Sequence, residues 1–301
     1  MSGIRHAVIA VGIDGSPESM VAARWAADEA ERRGLSLRLL HAYATTPLVG
    51  VPAYGVPSDI NAGLVEAGTD ALAQAVAEVQ KTHPRVGFTA ELVTSDPRPA
   101  LVDASATSLL TAVGRSGGGR IPEVVLGSVA LHVAAHGRSP VAVISSHTPG
   151  PSSGPVVLGV NGSAISEDAV SYAFDEASRR RARLDAVLVW DDLAMHGLGR
   201  GKQRMAAMED DEEHVVLAEQ LAGWRDKFPD VEVHQLVDRG RPAEALLRYA
   251  DGLPAGGSPQ LIVVGSRGRG GLTGLLLGST SQRLICHSVW PVVVVRQGTL
   301  D

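Results

Sequence analysis

The chain has 301 residues, 45% hydrophobic and 20% charged, with a formal net charge of −6; this fits two ordinary globular domains and excludes intrinsic disorder. The acidic balance, with a pI near 5.9, argues against a broad nucleic-acid or anionic-membrane surface, and no apolar run reaches the ~18 residues that span a bilayer. Cys286 is the only cysteine, which excludes an intrachain disulfide and fits a reducing cytoplasm. The opening Met-Ser-Gly-Ile-Arg-His leads straight into a strand-like run and does not read as a signal peptide.

Strand and helix patterns alternate from there. The first half predicts strands at Ala7–Ile13, Leu35–Tyr43, Gly87–Thr94, Leu109–Val113 and Val141–Ser145, and helices at Glu18–Arg33, Asp59–His83, Pro99–Ala106 and Ser128–Gly137. A Pro/Ser/Gly-rich linker, Thr148–Pro155, follows. The second half predicts strands at Val156–Val160, Leu184–Trp190, Val231–Asp238, Leu261–Gly265 and Val292–Arg296, with helices near Ser166–Arg181, Met205–Phe228, Pro242–Ala250 and Ser279–His287. Runs such as Val292–Val295 are apolar at every position, the mark of a strand covered on both faces. The alternation predicts an α/β, doubly wound fold in each half, with a parallel sheet of five strands and helices on both faces.

The halves are copies of one another. With Gly12 on Gly159, residues Gly15, Ser16, Ala26, Asp28, Glu29 and Arg33 match Gly162, Ser163, Ala173, Asp175, Glu176 and Arg180. With Gly114 on Gly265, residues Gly117, Gly127, Ser128, His136 and Pro140 match Gly268, Gly278, Ser279, His287 and Pro291. The repeat unit is therefore a whole domain, expected over 1–149 and 155–301.

The chemistry sits after the fourth strand of each half. Gly114-Arg115-Ser116-Gly117 is followed, after nine intervening residues, by Gly127-Ser128, and Gly265-Ser266-Arg267-Gly268, again after nine, by Gly278-Ser279. A glycine-rich loop between a strand and a helix start gathers backbone N–H groups that hold phosphate oxygens. Gly117, Gly118 and Gly119, and Gly268, Gly270 and Gly271, let the backbone wrap such a group, while Arg120, Arg267 and Arg269 add charge. Ser128 and Ser279 offer a hydroxyl and an N–H at a helix start. At the end of the first strand Gly12 permits close approach of a ligand, and Asp14 is placed to accept hydrogen bonds from a ribose at the point where strand order reverses.

The segment Val-Gly-Ile-Asp-Gly-Ser-Pro (11–17), the two loops, and the closing Ser-Pro-Val-Ala-Val-Ile and Trp-Pro-Val-Val-Val-Val runs together resemble the universal stress protein family in its tandem form, over nearly the whole chain. The resemblance implies two Rossmann-like domains of the adenine nucleotide α-hydrolase-like type, strand order 3-2-1-4-5, each binding ATP with Mg2+. It places adenine near Ala42 and Val189, ribose at Asp14, and phosphates on Gly114, Gly117, Gly127 and Ser128 with Val129 beside them, and on Gly265, Gly268, Gly278 and Ser279 with Thr280 beside them. It also implies a nucleotide-dependent regulator of a stress or growth-state response, a homodimer with an unidentified protein partner, rather than an enzyme; slow nucleotide hydrolysis or transfer is the alternative. Two departures matter. Asn161 stands beyond Gly159 where the family has Asp, with Asp191 and Asp192 as candidates to compensate, and the first loop, Gly-Arg-Ser-Gly-Gly-Gly-Arg, is the less typical of the two. The last strand of each half is a sheet edge that must be covered; in the family such edges pair between domains.

Three other patterns fit less well. Gly114-Arg-Ser116-Gly-Gly118 has the Gly-x-Ser-x-Gly form of a hydrolase elbow, but an elbow starts its helix at once. His132 and His136 have the i, i+4 spacing of a zinc helix, yet Val133 stands where the His-Glu-x-x-His motif needs Glu. No lysine follows either loop as a P-loop requires. The connections Thr45–Ser58 and Asp191–Arg204, which follow the second strand of each half, are the segments expected to report nucleotide state.

Overall fold

The computed structural model describes residues 8–44, 58–116, 126–150, 152–160, 167–190, 202–254, 257–267 and 277–300, the side chains of 58–60, 190 and 202–211 excepted. The chain divides into two compact units, Met1–Thr148 and Pro149–Asp301. The first contains β1 (Val8–Gly12), α1 (Pro17–Arg33), β2 (Ser36–Tyr43), α2 (Ser58–Thr82), β3 (Phe88–Thr94), α3 (Pro97–Ser105), β4 (Leu110–Gly114), α4 (Ser128–His136) and β5 (Val141–Ile144). The second contains β6 (Val156–Val160), α5 (Glu167–Arg180), β7 (Leu184–Trp190), α6 (Lys202–Lys227), β8 (Val233–Arg239), α7 (Pro242–Asp251), β9 (Leu261–Gly265), α8 (Ser279–His287) and β10 (Val292–Val295).

Strands neighbour one another in the order β3-β2-β1-β4-β5 in the first unit and β8-β7-β6-β9-β10 in the second, and these pairs are parallel. The chain leaves β1 to one side and returns on the other at β4, so the strand order reverses between β1 and β4, and again between β6 and β9. In α/β sheets ligands bind at the carboxyl edge of such a point.

Local chemistry explains the elements. The Ser16 side chain accepts the Ser19 N–H, Pro17 opens α1, and Gly34 closes it in the left-handed region at φ 65°. The face that α1 turns to the sheet is Ala22, Ala23, Ala26, Ala27 and Ala30, all fully buried, so the helix lies close over the sheet. In α5 the corresponding face carries Phe174, whose ring lies 6.3 Å from Trp224 and 5.7 Å from Phe228; burying one such ring contributes roughly 1.5–3 kcal/mol. β4, β5, β9 and β10 are buried almost throughout, as their unbroken apolar runs require. The repeat extends to a buried charge: Glu29 pairs with Arg32 and Arg33, and Glu176 with Arg180 at 2.7 Å.

Boundaries move where a cap decides them. α3 begins at Pro97 rather than Pro99 because Asp96 accepts the Arg98 N–H. α6 begins at Lys202, ahead of Met205. Of the two connections expected to report nucleotide state, 45–57 and 191–201 lie outside the described residues; Ser58 and Lys202–Arg204 belong to helices.

Candidate functional site

In the first unit the carboxyl edge is assembled from three strand ends. Gly12, the last residue of β1, pairs with Leu40 of β2, and Ala42 lies two residues further along β2. Beyond β1 the chain is held by the Ile13 N–H on the Leu40 carbonyl at 2.9 Å. Asp14 then makes a tight side-chain turn: its Oδ1 accepts the Ser16 N–H at 2.9 Å, and its own N–H donates to Ser19 Oγ at 3.4 Å. Gly15 takes φ 79°, a left-handed conformation that an L side chain rarely adopts. The Asp14 carboxylate is thereby fixed, exposed, at the strand-order reversal.

The glycine loops are closed at their necks in the same way in both units. The Arg115 N–H donates to the Ile144 carbonyl at 2.7 Å, and the Gly127 N–H donates back to the Arg115 carbonyl at 2.8 Å. In the second unit the Ser266 N–H donates to the Val295 carbonyl at 2.8 Å, and the Gly278 N–H to the Ser266 carbonyl at 2.7 Å. Gly127 and Gly278 are the N-caps of α4 and α8, both extended and both without a side-chain cap. The first turns of these helices, Ser128–Val129 and Ser279–Thr280, thus present backbone donors that no side-chain cap takes, and the helix dipole adds positive potential there. Ser128 and Ser279 are exposed. Ser281 donates to the Gly265 carbonyl at 2.7 Å, a bond that Ala130, its counterpart, cannot make.

The structure brings together at the first edge Gly12, Asp14, Ala42, Gly114, Arg115, Ser116, Gly127, Ser128 and Val129. At the second it brings together Gly159, Val189, Gly265, Ser266, Arg267, Gly278, Ser279 and Thr280. Gly117, Gly118, Gly119, Arg120, Asn161, Asp191, Asp192, Gly268, Arg269, Gly270 and Gly271 lie outside the described residues.

The bare strand-end glycines answer to packing. A Cβ on Gly12 would lie 3.0 Å from Leu101 Cδ1 of α3, and one on Gly159 2.8 Å from Leu246 Cδ1 of α7. The space that ligand approach was expected to need is held at that face by a leucine from the helix below.

The alternative patterns find no support in geometry. The His132 and His136 rings stack at 4.1 Å, and His136 Nδ1 lies 2.9 Å from the His132 carbonyl oxygen. Among the described residues no group of three His, Cys, Asp or Glu side chains is arranged to hold a metal ion. Residues 117–125, where a nucleophile elbow would start its helix, lie outside the described residues. A groove of about 600 Å3 runs along Gly34–Ser36 and Arg85–Gly87, at the amino ends of β2 and β3; it is the wrong edge for the repeated loops and carries no repeated feature. No described helix is long and apolar enough to cross a membrane.

Comparison with known proteins agrees with this architecture. The family model described as the universal stress protein family matches residues 7–145 and again 153–296. A universal stress protein of Mycobacterium tuberculosis H37Rv is 38% identical over 301 residues, covering 97% of this chain and 98% of that one. A counterpart in Mycolicibacterium smegmatis is 38% identical over 296 residues, covering 96% of each. The crystal structure of a universal stress protein from Archaeoglobus fulgidus superposes with a TM-score of 0.68 at 20% identity, covering 98% of this chain and all of that one, which speaks for the fold.

Proposed function

This chain belongs to the universal stress protein family, and we propose that each of its domains, 1–149 and 155–301, binds one ATP with Mg2+, the bound state setting affinity for a regulatory partner. One observation carries the proposal: the twice-built neck, in which Gly127 and Gly278 return to the strand-four exit at 2.8 and 2.7 Å and leave the first turns of α4 and α8 without side-chain caps. An anion seated there gains several aligned N–H donors and the helix dipole at once. In the first domain Asp14 takes the ribose and Ala42 borders the adenine; in the second, Val189 borders the adenine and Asn161 replaces the carboxylate.

The role proposed is binding rather than rapid turnover. Fast phosphoryl transfer draws on a metal clamp and a placed nucleophile or base, roles that no motif in the sequence supplies. Assembly as a homodimer, implied by the family resemblance, belongs to the same proposal. Calorimetry with Mg–ATP tests it: two binding events are expected per chain, and no heat at millimolar ATP overturns the reading. A turnover assay on the same sample separates binding from hydrolysis.

A further inference from the structure

Two side chains fasten α8 to its domain, and their counterparts on α4 are built differently. Ser281, the third residue of α8, is buried, and its hydroxyl donates at 2.7 Å to the carbonyl of Gly265, the last residue of β9. Arg283 reaches sideways to Glu244 in the first turn of α7, Nη2 to Oε1 at 3.0 Å, and Glu244 also accepts from Arg241 at 3.3 Å. In α4 the two positions are Ala130 and His132. Ala130 is as buried as Ser281, at 2% exposure each, and has no hydroxyl to give. The His132 ring stacks at 4.1 Å on His136 of its own helix.

The two fastenings are unequal. Arg283 and Glu244 are both well exposed, so their pair contributes little. The Ser281 hydroxyl is shut away from solvent, and water does not replace its bond when it is lost. It also acts where the anion seat is made. Ser279 and Thr280 directly precede it, and the Gly278 N–H donates to the Ser266 carbonyl at 2.7 Å. Two successive strand-exit carbonyls, those of Gly265 and Ser266, are thus tied to α8 and its cap. The first domain has the outer tie, Gly127 N–H on the Arg115 carbonyl at 2.8 Å, and Ala130 cannot supply the inner one.

We propose that Ser281 is a positioning residue for the phosphate seat of the second domain. It holds the first turn of α8 in its binding geometry before a nucleotide arrives, whereas in the first domain the nucleotide itself orders α4. The inference rests on the reading of these helix starts as phosphate seats. A seat that is set beforehand loses less freedom on binding. The second domain therefore binds ATP with little change in structure, and the first is the one that reports the bound state.

Amide hydrogen exchange of the full chain reads both seats through matched bonds. These are Gly278 N–H on Ser266 and Gln282 N–H on Gly278 at 3.0 Å, against Gly127 N–H on Arg115 and Leu131 N–H on Gly127 at 3.1 Å. Without nucleotide, Gly278 and Gln282 are expected to be protected about five- to tenfold more than Gly127 and Leu131, the factor that one net hydrogen bond supplies. Saturating Mg–ATP closes the gap by slowing the first-domain pair. Equal protection in the unliganded chain overturns the inference without any substitution. Ser281→Ala is expected to speed exchange at Gly278 and Gln282 by about the same factor and to leave Val293 and Val294 in the core of β10 unchanged, which a general loss of stability would not do. Ser128→Glu puts a carboxylate on the first residue of α4, where it suits the helix dipole but repels a phosphate. In that background calorimetry reads the second domain alone, and Ser281→Ala is expected to weaken Mg–ATP about five- to tenfold. Exchange unmoved by Ser281→Ala, or raised equally in β10, overturns the positioning role, as does an unchanged ATP affinity; nucleotide binding then stands without it. Faster exchange confined to Gly278 and Gln282, in a chain that binds no ATP even without substitutions, keeps the fastening and defeats the nucleotide reading.

Discussion

The glycines that end β4 and β9 occupy the same motif position, and the described contacts around them differ. A Cβ on Gly114 would lie 2.8 Å from Glu18 Cβ, 2.9 Å from the Glu18 carbonyl carbon and 3.0 Å from the Ser19 nitrogen. In the first domain, then, the strand end is pressed against the first turn of α1, and the obstacle is backbone that cannot move aside. Among the described residues, a Cβ on Gly265 would approach the Arg267 carbonyl oxygen at 3.5 Å, an ordinary contact; Ile165 and Ser166, the counterparts of Glu18 and Ser19, lie outside them. A glycine set by a loop motif can thus also be required by packing, as Gly114 is.

The sharpest way to break this comparison is the pair Gly114→Ala and Gly265→Ala. The first forces apart β4 and the cap of α1 and is expected to cost the first domain about 2–3 kcal/mol. By the described contacts alone, the second stays within about 0.5 kcal/mol. Urea unfolding of each variant measures both, and equal losses would show that the two strand ends are under the same constraint.

Next in size is the ribose carboxylate. Asp14→Asn gives the first domain the residue type that the second has at Asn161. The Asn oxygen still accepts the Ser16 N–H, as Asp14 Oδ1 does at 2.9 Å, so the turn survives and only the charge is lost. ATP affinity in the first domain is expected to fall about five- to tenfold, the difference between a hydrogen bond to a charged group and one to a neutral group. A Ser279→Glu background, which blocks the second domain, lets the first be read alone. An unchanged affinity there would remove the ribose role from Asp14.

Much of this was legible in the sequence because the repeat shows each element twice. The two α/β units, their parallel strands and the gathering of Asp14, Arg115 and Ser128 at one edge follow from strand–helix alternation and motif order. What the letters hide is which contacts a glycine relieves. Gly12 and Gly159 sit at the same edge, but the atoms that forbid their side chains belong to Leu101 and Leu246, distant in sequence. Cap-driven boundaries such as Asp96 before α3 were readable in principle, since Asp followed by Pro is a helix-start signal.

The smallest expected difference between the domains is in their response to acid, and it follows from the contact of α3 with α4 against that of α7 with α8. Burial, then His136, then Arg98 disfavour the charged form of His132 and lower its pKa below the ordinary 6.5, with Asp96 opposing them. Asp96 is itself held to about 2 by Arg98, so its charge does not change over the range in which histidine titrates. The counterpart of His132 is Arg283, whose Nη2 lies 3.0 Å from Glu244. A histidine with a depressed native pKa binds fewer protons folded than unfolded, so its contribution is fully present above about 6.5 and is lost as pH falls from there through the native value. His132 is half-buried, so water screens part of the effect and the loss is small. Urea midpoints at pH 7.5 and 5.5 should therefore separate more for the first domain's transition than for the second's, and His132→Gln should remove the excess. An excess that survives the substitution would assign the acid response to another group and leave the two helix contacts equivalent.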